Sequence, residues 1–222
     1  MLITMYWFAL DIGLRAGRDM DPPFYIWLIV GLIPWFSMRE MLGTGSDVFR
    51  RYTYLVNKMR FPISAIPTVY GSSSLIVHLG MLIILFTVYF IMGMPLDFYL
   101  LQLLLIIPVM FIFFCMYSLM TSLVSALSKD FANLVKALIR PIFWLSGIIF
   151  DVSKINIPWI QNALLFNPVT FFATAYRDAF YYKIWIWDNP KILGSFGIVF
   201  IVTLITMLVL FKRIAREVPD VI

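Results

Sequence analysis

Long apolar runs separated by short polar connections occupy nearly the whole chain and divide it into six hydrophobic elements. These are Met1 to about Leu14, Phe24 to Leu42, Ile63 to Met94, Leu96 to Leu127, Leu134 to Phe150 and Ile192 to Phe211. A helix rises about 1.5 Å per residue and a hydrocarbon core measures about 30 Å, so roughly 20 apolar residues are needed to cross. The first element would rise only about 21 Å and is expected to be a partial span, the sequence starting inside it. It has neither the basic flank nor the small-residue cleavage site of a signal peptide. Pro34 interrupts the second element. The third is longer than a crossing requires and is expected to tilt, to break near Pro67 and Gly71, or to protrude.

Two connections carry patterns of their own. Residues 46–60 combine Arg50, Arg51, Lys58 and Arg60 with a single acid, Asp47. By the positive-inside rule this connection is expected on the cytoplasmic side. Val48, Tyr52, Leu55 and Val56 recur at three- and four-residue spacing, so the segment can form an amphipathic helix on the membrane surface. Such a helix either rests on lipid or serves as a handle for a soluble partner, and both remain open. Residues 157–183 hold two apolar pieces, each too short to span. Pro158 suits a first helical turn, and Asn167-Pro168 suits a break followed by a new helix start. The pattern fits two short helices that dip into the outer leaflet and return. A plain hairpin lying on the interface is the alternative.

Composition bounds the class. The chain is 62% hydrophobic and only 13% charged, more apolar than a soluble domain of this length can bury. The expected fold is therefore all-α, a single polytopic membrane domain over residues 1–222. The formal net charge of +5 reflects cations of the inner face rather than a nucleic-acid footprint. Arg39, the cations of 46–60, Lys129, Lys136, Lys212, Arg213 and Arg216 gather on one side. On the other, Arg15, Arg18, Lys154, Arg177, Lys183 and Lys191 are diluted by acids such as Asp97, Asp151 and Asp188. The N- and C-termini of the full-length protein are accordingly expected in the cytoplasm. The one cysteine, Cys115, can form no intrachain disulfide.

Residue types that carry catalysis are sparse. There is no Gly-x-x-x-x-Gly-Lys-Ser/Thr phosphate loop and no convincing metal-ligand spacing, so neither a cofactor nor a metal is implied. His78 shares a face with Gly71 and Ser74 and reads as a packing residue before a proton relay. Ser118, Ser122 and Ser125 form a stripe that lets helices approach closely. Arg140 stands out, with Lys136 one turn before it and Trp144 one turn after. A cation within a span faces a cavity or a partner, or snorkels to lipid phosphates. A guanidinium can give phosphate two parallel hydrogen bonds, and an indole can stack on a sugar ring. Lys136, Arg140 and Trp144 therefore share one face, which the resemblance that follows makes the candidate translocation path.

Three stretches together resemble a known family. They are Gly31-Leu-Ile-Pro-Trp-Phe36; Leu55-Val-Asn-Lys-Met-Arg-Phe-Pro62 with Ile66-Pro67; and Phe166-Asn-Pro-Val-Thr-Phe-Phe-Ala-Thr-Ala-Tyr-Arg-Asp178. They look like the permease subunits of ATP-binding-cassette exporters of cell-surface polysaccharides, which include O-antigen, capsule, rhamnan and teichoic-acid permeases. The Arg140-Pro141 region and residues 157–183 resemble Gram-positive members. The family pattern opens with a cytoplasmic interfacial helix and a complete first span, so the chain is expected to be truncated at its N-terminus. The resemblance implies a homodimer of six-span permeases in a bacterial plasma membrane, bound to two copies of a separate ATPase and exporting a lipid-linked glycan. It makes 46–60 a coupling helix, with Phe49, Tyr52, Tyr54, Leu55 and Lys58 as candidate ATPase contacts. It makes the re-entrant pair an outer gate, with Trp159, Asn167, Pro168, Tyr176 and Arg177 as its residues. The chain would then be a permease and not an enzyme. The alternatives are a permease for a drug or simple lipid, or a membrane enzyme acting on lipid-linked sugars.

Overall fold

Backbone amides in a bilayer must bond within their own segment, and every regular element among the described residues is helical. The computed structural model describes residues 2–13, 23–58, 62–215 and 217–218, the side chains of Leu2 and of residues 56–58 excepted. Arg15, Arg18, Arg60 and Arg216 lie outside the described residues, as do Met59 and Phe61 of the resemblance. Helix α1 (Leu2–Trp7) runs into a π-turn at Phe8–Gly13. Helix α2 (Phe24–Gly43) leads through a 3₁₀ turn at Gly45–Asp47 to α3 (Val48–Arg51) and α4 (Thr53–Lys58). There follow α5 (Ala65–Ile91), α6 (Leu103–Leu127), α7 (Lys129–Trp144), α8 (Pro158–Leu165), α9 (Pro168–Arg177) and α10 (Pro190–Ile214). Among the described residues, four stretches are long and apolar enough to cross a membrane: Phe24–Arg51, Ala65–Ile91, Phe98–Leu127 and Pro190–Ile214.

From Phe24 to Phe36 helix α2 is apolar on all faces, as befits a helix at the centre of a bundle. Its most apolar stretch is 78% buried, against 22% for α5 and 17% for α10. The outer faces of α5 and α10 present residues such as Ile83, Ile84, Phe90, Ile201 and Ile205, an apolar surface suited to lipid. A ring cluster ties α6, α9 and α10 together. Phe171 stacks on Phe196 with centroids 3.9 Å apart, and Phe172 meets Phe196 edge-on at 5.1 Å. Small residues set the closest approaches: Ser118 Oγ donates to the Gly45 carbonyl at 2.6 Å, and a Cβ on Gly45 would press on that same side chain.

Three elements differ from the sequence pattern. Helix α5 does not break at Pro67 or Gly71. Pro67 is its third residue, where no earlier carbonyl awaits its missing N–H. Gly71 makes room for Cys115, Met41 and Phe111. The fifth element forms a helix at Lys129–Trp144 rather than Leu134–Phe150. The Ser128 hydroxyl caps it by accepting from Phe131 N at 3.3 Å, and beyond it the chain turns at Gly147, whose φ is +66°. Its 16 residues rise about 24 Å, short of a hydrocarbon core. Residues 46–60, in turn, are not one continuous helix: at Tyr52, φ −113° and ψ 37° separate α3 from α4.

Candidate functional site

Helix α7 lays a polar stripe against α2, and the space between them is a cavity of about 450 Å³. Lys136, Arg140 and Trp144 follow one another at four-residue spacing along α7, and all three line it. From α2 come Trp35 and Arg39, again four residues apart, and from α1 comes Tyr6. Phe143 closes the wall, its ring 5.3 Å from that of Trp35 and 5.4 Å from that of Tyr6. An adjoining space of about 460 Å³ continues past Arg39 and Lys136 to Glu40 and Thr44. Glu40 is engaged by the Tyr70 hydroxyl, which donates to it. Three cations beside several aromatic rings make a site suited to an anion joined to a flat or apolar-faced group.

The cavity is tied to the segment that follows α2. Lys136 Nζ lies 2.8 Å from Asp47 Oδ2. Arg50 stands 3.7 Å from the other Asp47 oxygen and donates to the carbonyls of Ser125 and Ala126 at the end of α6. Cations at a helix C-terminus meet the free carbonyls and the negative end of its dipole. The five candidate coupling residues divide. Phe49 is fully buried inside the bundle, so it offers no surface to a partner. Tyr52 and Leu55 are half-buried, and Tyr54 is 62% exposed. Lys58 closes α4, and its side chain lies outside the described ones.

The candidate gate residues divide as well. Trp159 is 72% exposed on α8, a helix with no buried residue. Asn167 caps α9 by accepting from Val169 N at 3.0 Å, and Pro168 fills its first turn. Tyr176 and Arg177 point inward instead. The Tyr176 hydroxyl pairs with His78 Nε2 at 2.7 Å. The Arg177 guanidinium sits 3.4 Å over the Trp27 ring and donates to the carbonyls of Trp27, Gly147 and Ile148. Gly31 is what lets it in, because a Cβ there would collide with the guanidinium. Around this strut, Trp27 Nε1 donates to Tyr182 Oη, and Tyr182 donates to Asp151. Burial raises the Asp151 carboxyl, but hydrogen bonds from Ser153 and Tyr182 and the Arg177 charge hold it below its usual range. Burial, with Asp151 nearby, pushes Asp178 up to about 7 against the pull of Arg177.

Sequence reasoning named the α7 stripe and missed its partners. In the sequence Arg39 reads as an orientation charge and Trp35 as part of a motif, though their spacing puts both on one face of α2. Asp47 carried no local signal of a bond to Lys136, because 89 residues separate them.

The profile of the family described as ABC-2 type transporter matches residues 1–181. The chain is also similar to the O-antigen export system permease protein RfbA of Myxococcus xanthus, 23% identical over 169 residues. That match takes in 74% of this chain and 64% of the relative, so the chain spans under two thirds of its length. The family match takes in α2, the cavity and the α8–α9 pair together, and the chain belongs to the ABC-2 type transporter family.

Proposed function

We propose that this chain is the membrane subunit of an ATP-driven exporter that carries a lipid-linked cell-surface glycopolymer, a polysaccharide or teichoic acid, from the cytoplasmic to the outer side. It works as a homodimer in the plasma membrane of a bacterium, with two copies of a separate ATPase docked on the α3–α4 segment. Both termini of the full-length protein face the cytoplasm, and α8 and α9 form the outer gate. The observation that carries this reading is the cavity lined by Arg39, Lys136 and Arg140 beside Trp35 and Trp144. A glycan joined to its lipid by phosphate presents an anion and a sugar side by side. Arg140 takes the phosphate through paired N–H groups, and Trp144 stacks on the first sugar. The name of the Myxococcus relative, an O-antigen export permease, supports the same class of cargo.

The test is ATP turnover in the reconstituted full-length complex with and without a phosphate-linked lipid glycan. We expect Arg140→Gln and Trp144→Ala to lose at least tenfold in apparent cargo affinity, about 1.4 kcal/mol. Arg140→Lys should recover only part, because an ammonium lacks the planar fork. Equal cargo stimulation in wild type and Arg140→Gln would leave Arg140 as a lipid anchor. Stimulation by uncharged amphiphiles alone would favour a drug or simple-lipid permease.

A further inference from the structure

One ion pair joins the cavity to the segment that would meet the ATPase. We propose that Asp47–Lys136 senses occupancy of the cavity and that the ligand it senses is a diphosphate; the inference rests on the export reading above. Arg39 and Arg140 between them present two planar forks, enough for one phosphate group. Lys136 lines the same cavity yet is held by Asp47 at 2.8 Å. A single phosphate leaves that bond alone. A second phosphate, one linkage further along, needs the third cation and takes Lys136 from Asp47.

The exchange is easy on both sides. Lys136 is 45% exposed and Asp47 23%, and an ion pair so open to solvent shifts an equilibrium by no more than about fivefold. Asp47 is poorly held otherwise: Oδ1 is buried and accepts no hydrogen bond, with only Arg50 at 3.7 Å. Arg50 is already committed to the Ser125 and Ala126 carbonyls, and Ser118 holds the Gly45 carbonyl. When Lys136 leaves, the segment therefore stays on α6 and parts from α7. The direction of that change is defined: α3 and α4 are released from the helix that carries the ligand. Asp47 is a positioning residue that acts through Lys136, and Lys136 itself contacts the second phosphate.

The experiment uses the full-length permease with its ATPase in lipid nanodiscs, with a polyprenyl diphosphate and a polyprenyl monophosphate as probes. Wild type should be stimulated by the diphosphate at least threefold more than by the monophosphate. Asp47→Asn, with no probe, should turn over ATP at the diphosphate-stimulated rate of wild type and rise little further. Its diphosphate affinity should hold or tighten up to about fivefold. Lys136→Gln breaks the pair from the other side and should show the same raised basal rate with at least tenfold weaker diphosphate binding. Asp47→Glu should restore regulation, which separates the ion pair from a mere fold defect. Binding of neither lipid by wild type would remove the export reading. A wild-type basal rate and full diphosphate stimulation in Asp47→Asn, with binding intact, would overturn the sensor alone. Equal stimulation by the two lipids would overturn the diphosphate assignment.

Discussion

At the scale of single residues, Arg177 holds more of the molecule than its place in a candidate gate suggests. Its guanidinium joins the N-terminal half of α2 to the turn after α7 through three carbonyls and one indole face. Removing it leaves buried acceptors without donors, at about 1–3 kcal/mol apiece. Arg177→Met should therefore lower stability by about 3 kcal/mol, read as an early melt of the purified permease. Gly31→Ala should cost about 1–3 kcal/mol by overpacking the same pocket, with ligand affinity in the α2–α7 cavity unchanged. Asp178 adds a pH dependence. Its carboxyl is raised to about 7 in the fold, chiefly by burial, whereas in the unfolded chain it titrates near 4. Between those values the folded protein binds the extra proton, so stability falls as pH rises from about 4 to 7. Asp178→Asn should flatten that slope in thermal melts, and an unchanged slope would assign it to another group.

At the scale of elements, the helices flanking the cavity owe their limits to local chemistry. Helix α7 begins where Ser128 caps it, five residues ahead of the apolar run that announces it. Ser128→Ala should cost about 1 kcal/mol and speed amide exchange over residues 129–132. The α8–α9 pair shows how two apolar pieces of similar composition reach opposite fates. Asn167 and Pro168 start α9 at an angle that sends Phe171 and Phe172 into the ring cluster, whereas α8 buries none of its residues. In a Cys115→Ala background, Trp159→Cys should react quickly with a membrane-impermeant thiol reagent, and Thr170→Cys should resist it. Rapid labelling at both would mean that α9 is not sheltered. Asn167-Pro168 was readable as a helix start because capping and a first-turn proline are local signals. Which of the two helices is buried was not, because both are apolar.

At the scale of the whole molecule, the α3–α4 segment has an inner and an outer part. Phe49 belongs to the core, and Phe49→Ala should destabilise the bundle by about 3–5 kcal/mol. If the ATPase docks on this segment as proposed, Tyr54, 62% exposed, and the half-buried Leu55 are its contacts, since aromatic anchors carry much of an interface's energy. Tyr54→Ala with Leu55→Ala should leave the melt of the permease alone within about 0.5 kcal/mol and weaken ATPase co-purification at least tenfold. Undiminished ATPase binding by that double variant would place the contact elsewhere. Loss of both stability and binding would mean that the two residues serve the fold.

The sequence by itself determined the all-helical character and the places of the four long apolar helices, because length and hydropathy are read directly against a bilayer's thickness. It also determined that Lys136, Arg140 and Trp144 share one face, since helical periodicity fixes that without any neighbour. What faces that stripe was decided only in three dimensions. Trp35 and Arg39 join it because α2 packs beside α7, and Tyr6 joins from the first helix. The Asp47–Lys136 bond depends on the path of the chain around α6. The burial of Phe49 and Arg177, both expected at working surfaces, depends on α2 lying at the centre of the bundle. Hydrophobic pattern records how apolar a residue's surroundings must be. Which polar groups meet inside those surroundings follows from helix packing, which the pattern does not encode.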